Sequence, residues 1–122
     1  MFYIKSAGIL IDGGKIKKVF RKEPVKIPVE ARTLDAKGKI VSAGFIDVHL
    51  QGAGGFDFLD ATPAAIERIS QTLAKFGTTS YLATTVFKNG TNNHIENLTA
   101  YDSQLTAYHQ GAQLLGIHLE GP

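Results

Sequence analysis

The stretch Gly44-Phe45-Ile46-Asp47-Val48-His49-Leu50-Gln51-Gly52, followed by Ala53-Gly54-Gly55, constrains this chain more than any other. Read as a strand, its period of two sets Asp47, His49 and Gln51 on one face and Ile46, Val48 and Leu50 on the other. A strand turned to water would waste the aliphatic face, and one buried on both faces would leave three polar side chains to satisfy. A metal ion or a substrate on the polar face resolves that conflict. Near the end of the chain, Leu115-Gly116-Ile117-His118-Leu119-Glu120-Gly121-Pro122 repeats the arrangement, with His118 and Glu120 opposite Ile117 and Leu119. Two such strands can converge on one site.

Composition narrows the partners. With 43% hydrophobic and 20% charged residues over 122 positions, the chain is globular rather than disordered, and its length suits one domain. A net charge of +2 is too small for a nucleic-acid footprint, and Lys15, Lys17 and Lys18 read as the solvated side of a strand. The absence of cysteine rules out disulfides and thiolate metal sites. Met1-Phe2-Tyr3-Ile4-Lys5 soon meets Gly8 and is neither a signal peptide nor a membrane span. A cytoplasmic protein with no membrane and no nucleic-acid partner is therefore expected. The two matches to the glycosylation pattern, at Asn89 and Asn97, carry no meaning in such a chain.

The first 43 residues read as short strands and tight turns. Ile9-Leu10-Ile11 and Ile16-Lys17-Lys18-Val19 flank Asp12-Gly13-Gly14, which predicts a hairpin. Phe2 and Ile4 alternate with Tyr3 and Lys5, and Val25, Ile27 and Val29 alternate with polar or proline residues. Pro28 makes the latter an edge strand. Ala36-Lys37-Gly38-Lys39 predicts a turn before Ile40-Val41. This block is expected to be a small antiparallel sheet that leans on something else, because it holds too little apolar material to cover both faces.

From Gly44 the period changes. Thr62 is a good cap with Pro63 at the first helical position, and Ile66, Ile69, Leu73 and Phe76 recur at helical spacing up to Gly77. Ser80 to Thr85 predicts a strand. A second helix capped by Thr91 or Asn92 would carry Ile95, Leu98, Tyr101, Leu105 and Tyr108 on one stripe and end at Gly111, before a final strand from Leu114 to Leu119. Strand, helix, strand, helix, strand with short connections implies parallel strands and right-handed crossovers.

Two constellations compete for the chemistry. Gly52, Gly54 and Gly55 follow a strand, but a phosphate loop needs a helix at once, and Phe56 to Ala61 intervene before the cap at Thr62. A plain turn explains those glycines better. His49, Gln51 and Glu120 sit toward the carboxyl ends of parallel strands, where α/β sites form, and imidazole and carboxylate are ligands suited to zinc. Spacing alone leaves a second reading open, in which His49 and His118 are hydrogen-bonded core residues and Glu120 pairs with a neighbour. His94 and His109, early and late in the second helix, read as surface residues.

The motifs Gly44-Phe45-Ile46-Asp47-Val48-His49 with Leu50-Gln51-Gly52, then Gly77-Thr78-Thr79, then Gly116-Ile117-His118-Leu119-Glu120-Gly121-Pro122, resemble the N-acetylglucosamine-6-phosphate deacetylase family of the amidohydrolase superfamily. The resemblance runs through nearly the whole chain and covers the amino-terminal part of the family protein. It implies an α/β fold in which residues 1–43 are part of a β-sandwich. Residues 44–122 would be the first three strands of a partial (β/α)8 barrel. It also implies metal-dependent hydrolysis of the N-acetyl group of an amino-sugar phosphate, N-acetylglucosamine 6-phosphate, with Glu120 as metal ligand. His49 and Gln51 stand at the strand-one positions that are both histidine in many amidohydrolases and are glutamine and asparagine in some deacetylases of this family. The mixture points to one divalent ion, zinc, rather than two. Asp47 and His118 are expected to be supporting residues, and Ala43 replaces a frequent proline.

The family's later metal histidines, its catalytic aspartate and most sugar-phosphate contacts have no counterpart in this sequence. The chain is therefore expected to be a fragment that is inactive alone and that self-associates, as a homo-oligomer, through uncovered strand edges. N-acetylgalactosamine-6-phosphate deacetylase and dihydroorotase are competing activities. A non-catalytic assembly module is the alternative from outside enzymology.

Overall fold

The computed structural model describes residues 7–21, 26–86, 99, 101–102, 104–105, 107 and 110–121. By its internal contacts the chain divides into two units, Met1–Ser42 and Ala43–Pro122.

In the first unit, β1 (Gly8–Asp12) pairs antiparallel with β2 (Lys15–Phe20). The two-residue connection works because Gly13 and Gly14 take φ of 55° and 70°, the left-handed pair that matches the twist of a hairpin. The predicted turn at Ala36 to Lys39 forms, with Lys39 N–H donating to the Ala36 carbonyl at 2.9 Å. The edge strand expected around Ile27 does not form. Residues 26–28 are not in a strand, and the chain turns at Val29 and Glu30 as Ala31 N–H donates to the Pro28 carbonyl at 3.0 Å. Pro28 has no N–H for a ladder, so the alternating pattern lost to local turn geometry. The expected strand at Phe2 and Ile4 lies outside the described residues, as does Val25.

The second unit is built on three parallel strands in the order β3 (Phe45–Leu50), β6 (Thr78–Val86), β7 (Gln113–Glu120). After β3, Gln51 leads into a short antiparallel hairpin, β4 (Gly52–Ala53) and β5 (Phe56–Asp57), whose turn glycines Gly54 and Gly55 have φ of 65° and 85°. The glycine run is a turn and not a phosphate loop. A 3-10 turn over Phe58–Asp60 follows, held by a reciprocal cap in which Asp57 accepts from Leu59 N–H and Asp60 accepts from Asp57 N–H. Helix α1 (Pro63–Lys75) then starts as predicted, with Thr62 Oγ1 accepting from Ala65 N–H at 3.2 Å.

The apolar stripe of α1 buries Ala65, Ile66, Ile69 and Leu73 against Phe58, Tyr81, Tyr101, Ala112 and Leu114. Phe58 stacks on Tyr81 at 5.6 Å between ring centroids and meets Tyr101 edge-on at 6.2 Å, so three aromatic rings form the centre of this core. Burial raises the pKa of both tyrosines, with Ser70 opposing the shift at Tyr81 by hydrogen bonding to its hydroxyl at 2.9 Å. Phe76 was expected on the stripe but is 79% exposed, because α1 ends at Lys75 and Phe76 caps it. Of the predicted second helix, Thr99, Tyr101, Asp102, Gln104 and Leu105 are described and helical, Tyr101 being buried. Its cap, Ile95, Leu98, Tyr108, His94 and His109 lie outside the described residues.

The aliphatic face of β3 departs from expectation. Only Leu50 packs on the core, while Ile46 and Val48 are 62% and 57% exposed. The reason is position, since α1 packs against the central strand β6 and the β4–β5 hairpin, leaving β3 as an uncovered edge.

Candidate active site

The sheet presents its polar groups at the carboxyl ends of β3 and β7. In-register pairing sets Thr84 beside His118 and Val86 beside Glu120, so His118 and Glu120 share one face with Thr84. The opposite face carries Ala83 and Ile117, which join Leu50 in and around the core. Leu50 lies on the core face, which turns His49 and Gln51 toward Glu120.

Three side chains meet there. His49 Nε2 lies 3.3 Å from Glu120 Oε2, and Gln51 Nε2 donates to the same oxygen at 3.2 Å. The carboxylate thus spans from β7 across β6 to two residues flanking the end of β3, some seventy positions earlier in sequence. The pair is accessible, with the His49 and Glu120 side chains 51% and 39% exposed.

The other polar residues of the two motifs serve the backbone. Asp47 Oδ1 accepts from His49 N–H at 3.1 Å, and His118 Nδ1 donates to the Val48 carbonyl at 2.8 Å, reaching over β6 from β7. Because the acceptor is a carbonyl, it is Nδ1 that carries the donated proton. The His118 ring lies 4.7 Å from that of His49, tilted by 41°. Thr84 Oγ1 accepts from Leu50 N–H at 2.9 Å. The sequence reading treated Thr84 only as a strand former; a hydroxyl on the polar face of a central strand is the signal that pointed to it.

An imidazole nitrogen and a carboxylate oxygen turned toward one another are donors a divalent ion accepts. The Gln51 amide nitrogen faces the carboxylate. Among the described residues no group of three or more histidine and acidic side chains is arranged to hold an ion. The donor set therefore fits part of a coordination shell, through His49 and Glu120. Elsewhere, a groove of about 520 Å³ in the first unit is lined by Leu10, Asp12, Lys17, Pro28, Glu30 and Arg32, with none of the predicted site residues. No helix among the described residues is long and apolar enough to cross a membrane.

Comparison with known proteins yields relatives named as deacetylases of amino-sugar phosphates. The chain is 37% identical to an N-acetylglucosamine-6-phosphate deacetylase of Bacillus subtilis, over 98% of this chain and 30% of the relative. It is 31% identical to the enzyme of that name from Haemophilus influenzae, again over 98% of this chain and 30% of the relative. An N-acetylgalactosamine-6-phosphate deacetylase of Escherichia coli O157:H7 is 32% identical over 79% of this chain and 25% of the relative. The crystal structure of N-acetylglucosamine-6-phosphate deacetylase from Pasteurella multocida matches with a TM-score of 0.80 and 33% identity, over 99% of this chain and 30% of that one. The chain thus spans about 30% of the length of these relatives. No family model matches it.

Proposed function

From the premise that this chain is a homologue of the N-acetylglucosamine-6-phosphate deacetylases along 98% of its length, we propose that it carries part of the active site of such an enzyme. The whole protein's reaction would be hydrolysis of the N-acetyl group of N-acetylglucosamine 6-phosphate. Water adds to the amide carbonyl, the C–N bond breaks, the nitrogen takes a proton, and glucosamine 6-phosphate and acetate leave. In this reading β3, β6 and β7 are the first strands of a (β/α)8 barrel, and residues 1–43 belong to a β-sandwich.

The observation that carries the proposal is the convergence of His49 Nε2 and Gln51 Nε2 on one oxygen of Glu120, at 3.3 and 3.2 Å, from two strands of a parallel sheet at their carboxyl ends. Glu120 and His49 would hold one divalent ion, zinc in this reading, and Gln51 would fix the carboxylate by donating to it. A bound ion there supplies Lewis acidity toward the amide carbonyl and toward water. Gln51 keeps a neutral amide at the position where an imidazole would complete a second set of ligands, which favours a single ion.

Acting alone, the chain is expected to show no deacetylase activity and to bind zinc weakly. Catalysis needs ligands, a base and oxyanion donors mutually placed within about 0.5 Å, and His49, Gln51 and Glu120 meet only part of that demand. Calorimetric titration with zinc, with acetate release followed in parallel and Glu120→Ala as control, tests this. Weak binding that Glu120→Ala abolishes supports the reading. Tight stoichiometric binding, or turnover that Glu120→Ala removes, shows that three strands make a working site. Assaying a full-length relative carrying these motifs against the glucosamine, galactosamine and dihydroorotate substrates separates the competing activities.

A second reading rests on Ile46, Val48, Leu115 and Leu119, which are exposed along the two edge strands. Edges of that kind recruit further strands, so the chain would self-associate, as a homo-oligomer or an assembly module. Light scattering that finds a monomer across a wide concentration range counts against it.

A further inference from the structure

We propose that Thr84 and His118 are positioning residues that hold a bulge at the end of β3 in the one shape that lets His49 and Gln51 reach Glu120. The inference rests on the active-site reading above and adds residues that act through its ligands.

The ladder between β3 and β6 contains the clue. Asp47 is paired with Tyr81 and Leu50 with Ala83, so β3 advances three residues while β6 advances two. The extra residue lies at Val48 and His49, inside a parallel pair, where bulges are rare. A bulge takes backbone groups off the ladder and re-aims a side chain, and each displaced group then needs another partner.

Here three backbone groups around His49 have side-chain partners. The Val48 carbonyl, just before His49, accepts from His118 Nδ1 at 2.8 Å. The N–H of His49 donates to Asp47 Oδ1 at 3.1 Å. The Leu50 N–H, just after it, donates to Thr84 Oγ1 at 2.9 Å. Thr84 is 1% exposed on the central strand and His118 sits on the far strand, so the bulge is tied to both of the other strands of the sheet. Regular ladder bonds would have drawn β3 back into register and turned successive side chains by a full face. The threonine hydroxyl and the imidazole instead stabilise the out-of-register backbone, and with it the direction in which His49 leaves the strand.

The test uses the 122-residue chain and its variants Thr84→Val, Thr84→Ser and His118→Ala. Amide exchange at Leu50 and the nuclear Overhauser contact between the His49 ring and the Glu120 methylenes are read by NMR, and zinc affinity by calorimetry. Thr84→Val keeps the side-chain shape and removes the acceptor; it is expected to speed Leu50 exchange about tenfold and to erase the His49–Glu120 contact. Zinc affinity should fall by about 10 to 100-fold, the usual loss when the group that orients a ligand is removed. Thr84→Ser restores all three, and His118→Ala reproduces the loss of the contact. A folded Thr84→Val with Leu50 exchange and the His49–Glu120 contact unchanged overturns the proposal. Should Thr84→Val not fold, a Thr84→Ser that loses Leu50 protection, or a His118→Ala that retains the contact, overturns it equally. Failure of the parent chain to bind zinc while the variants still break the contact rejects the metal reading and supports the clamp.

Discussion

β3 and β6 run side by side in one parallel sheet, yet they live in different environments. β3 reads Phe-Ile-Asp-Val-His-Leu and is largely exposed, whereas β6 reads Thr-Thr-Ser-Tyr-Leu-Ala-Thr-Thr-Val and buries Tyr81, Ala83, Thr84 and Thr85 almost completely. By side-chain hydrophobicity β3 would be the interior strand. Burial followed coverage instead: β6 has a strand on either side and α1 across one face, while β3 has one neighbour. The comparison teaches that the strand carrying His49 is the less covered one, which leaves the His49 side chain half exposed.

The largest effect should come from removing what covers β6. Ile69→Ala, in the stripe of α1 that packs on Tyr81, is expected to cost about 2 to 5 kcal/mol in urea denaturation. A cost under 1 kcal/mol would mean that α1 does not protect β6 and would collapse the distinction.

Next is the polar pair beneath the sheet. Ser70→Ala leaves the buried Tyr81 hydroxyl without its partner and should cost about 1 to 3 kcal/mol. The same core makes stability sensitive to alkali. Burial raises the pKa of Tyr81 and Tyr101 in the folded state, so above pH ~10 the unfolded chain gives up protons that the folded chain retains. Stability is fully present below that pH and is lost as pH rises toward the folded values. Denaturation midpoints measured from pH 8 to 12 should fall only above about 10, and Tyr101→Phe should flatten the fall. A decline that starts below pH 9 would place its cause elsewhere.

Smaller still is the cap. Thr62→Ala removes the acceptor for Ala65 N–H and should cost about 1 kcal/mol, loosening α1 while β3 amide exchange stays as it was. At the bottom of the scale, Ile46→Ala and Val48→Ala should change stability by no more than about 0.5 kcal/mol, because both side chains are already in water. Losses like that of Ile69→Ala would show that β3 is covered in solution, and light scattering on the same samples would tell whether a second copy covers it.

The local elements were legible because their causes are local. Gly13-Gly14 can take the left-handed pair a hairpin needs, Thr62-Pro63 starts a helix, and the recurrence from Ile66 to Leu73 marks its buried stripe. The pairing of His49 and Gln51 with Glu120 was also within reach, since period two assigns each residue a face and parallel strands bring their carboxyl ends together. The misreadings share a cause as well. Ile27 alternates like a strand residue, but Pro28 turned the chain, and Phe76 fell on the helical stripe one residue past the helix.

What the sequence determined by itself is therefore the menu: a glycine-turned hairpin, a capped amphipathic helix, parallel strands bearing histidine and carboxylate, and the similarity to the deacetylases. Only the tertiary structure decided which strand would be interior, because coverage depends on neighbours distant in sequence. Only it placed a bulge between Asp47 and Leu50 and tied its backbone to Thr84 and His118. Register between strands is chosen by the sum of cross-strand contacts over the whole sheet, and no window along one strand contains that sum.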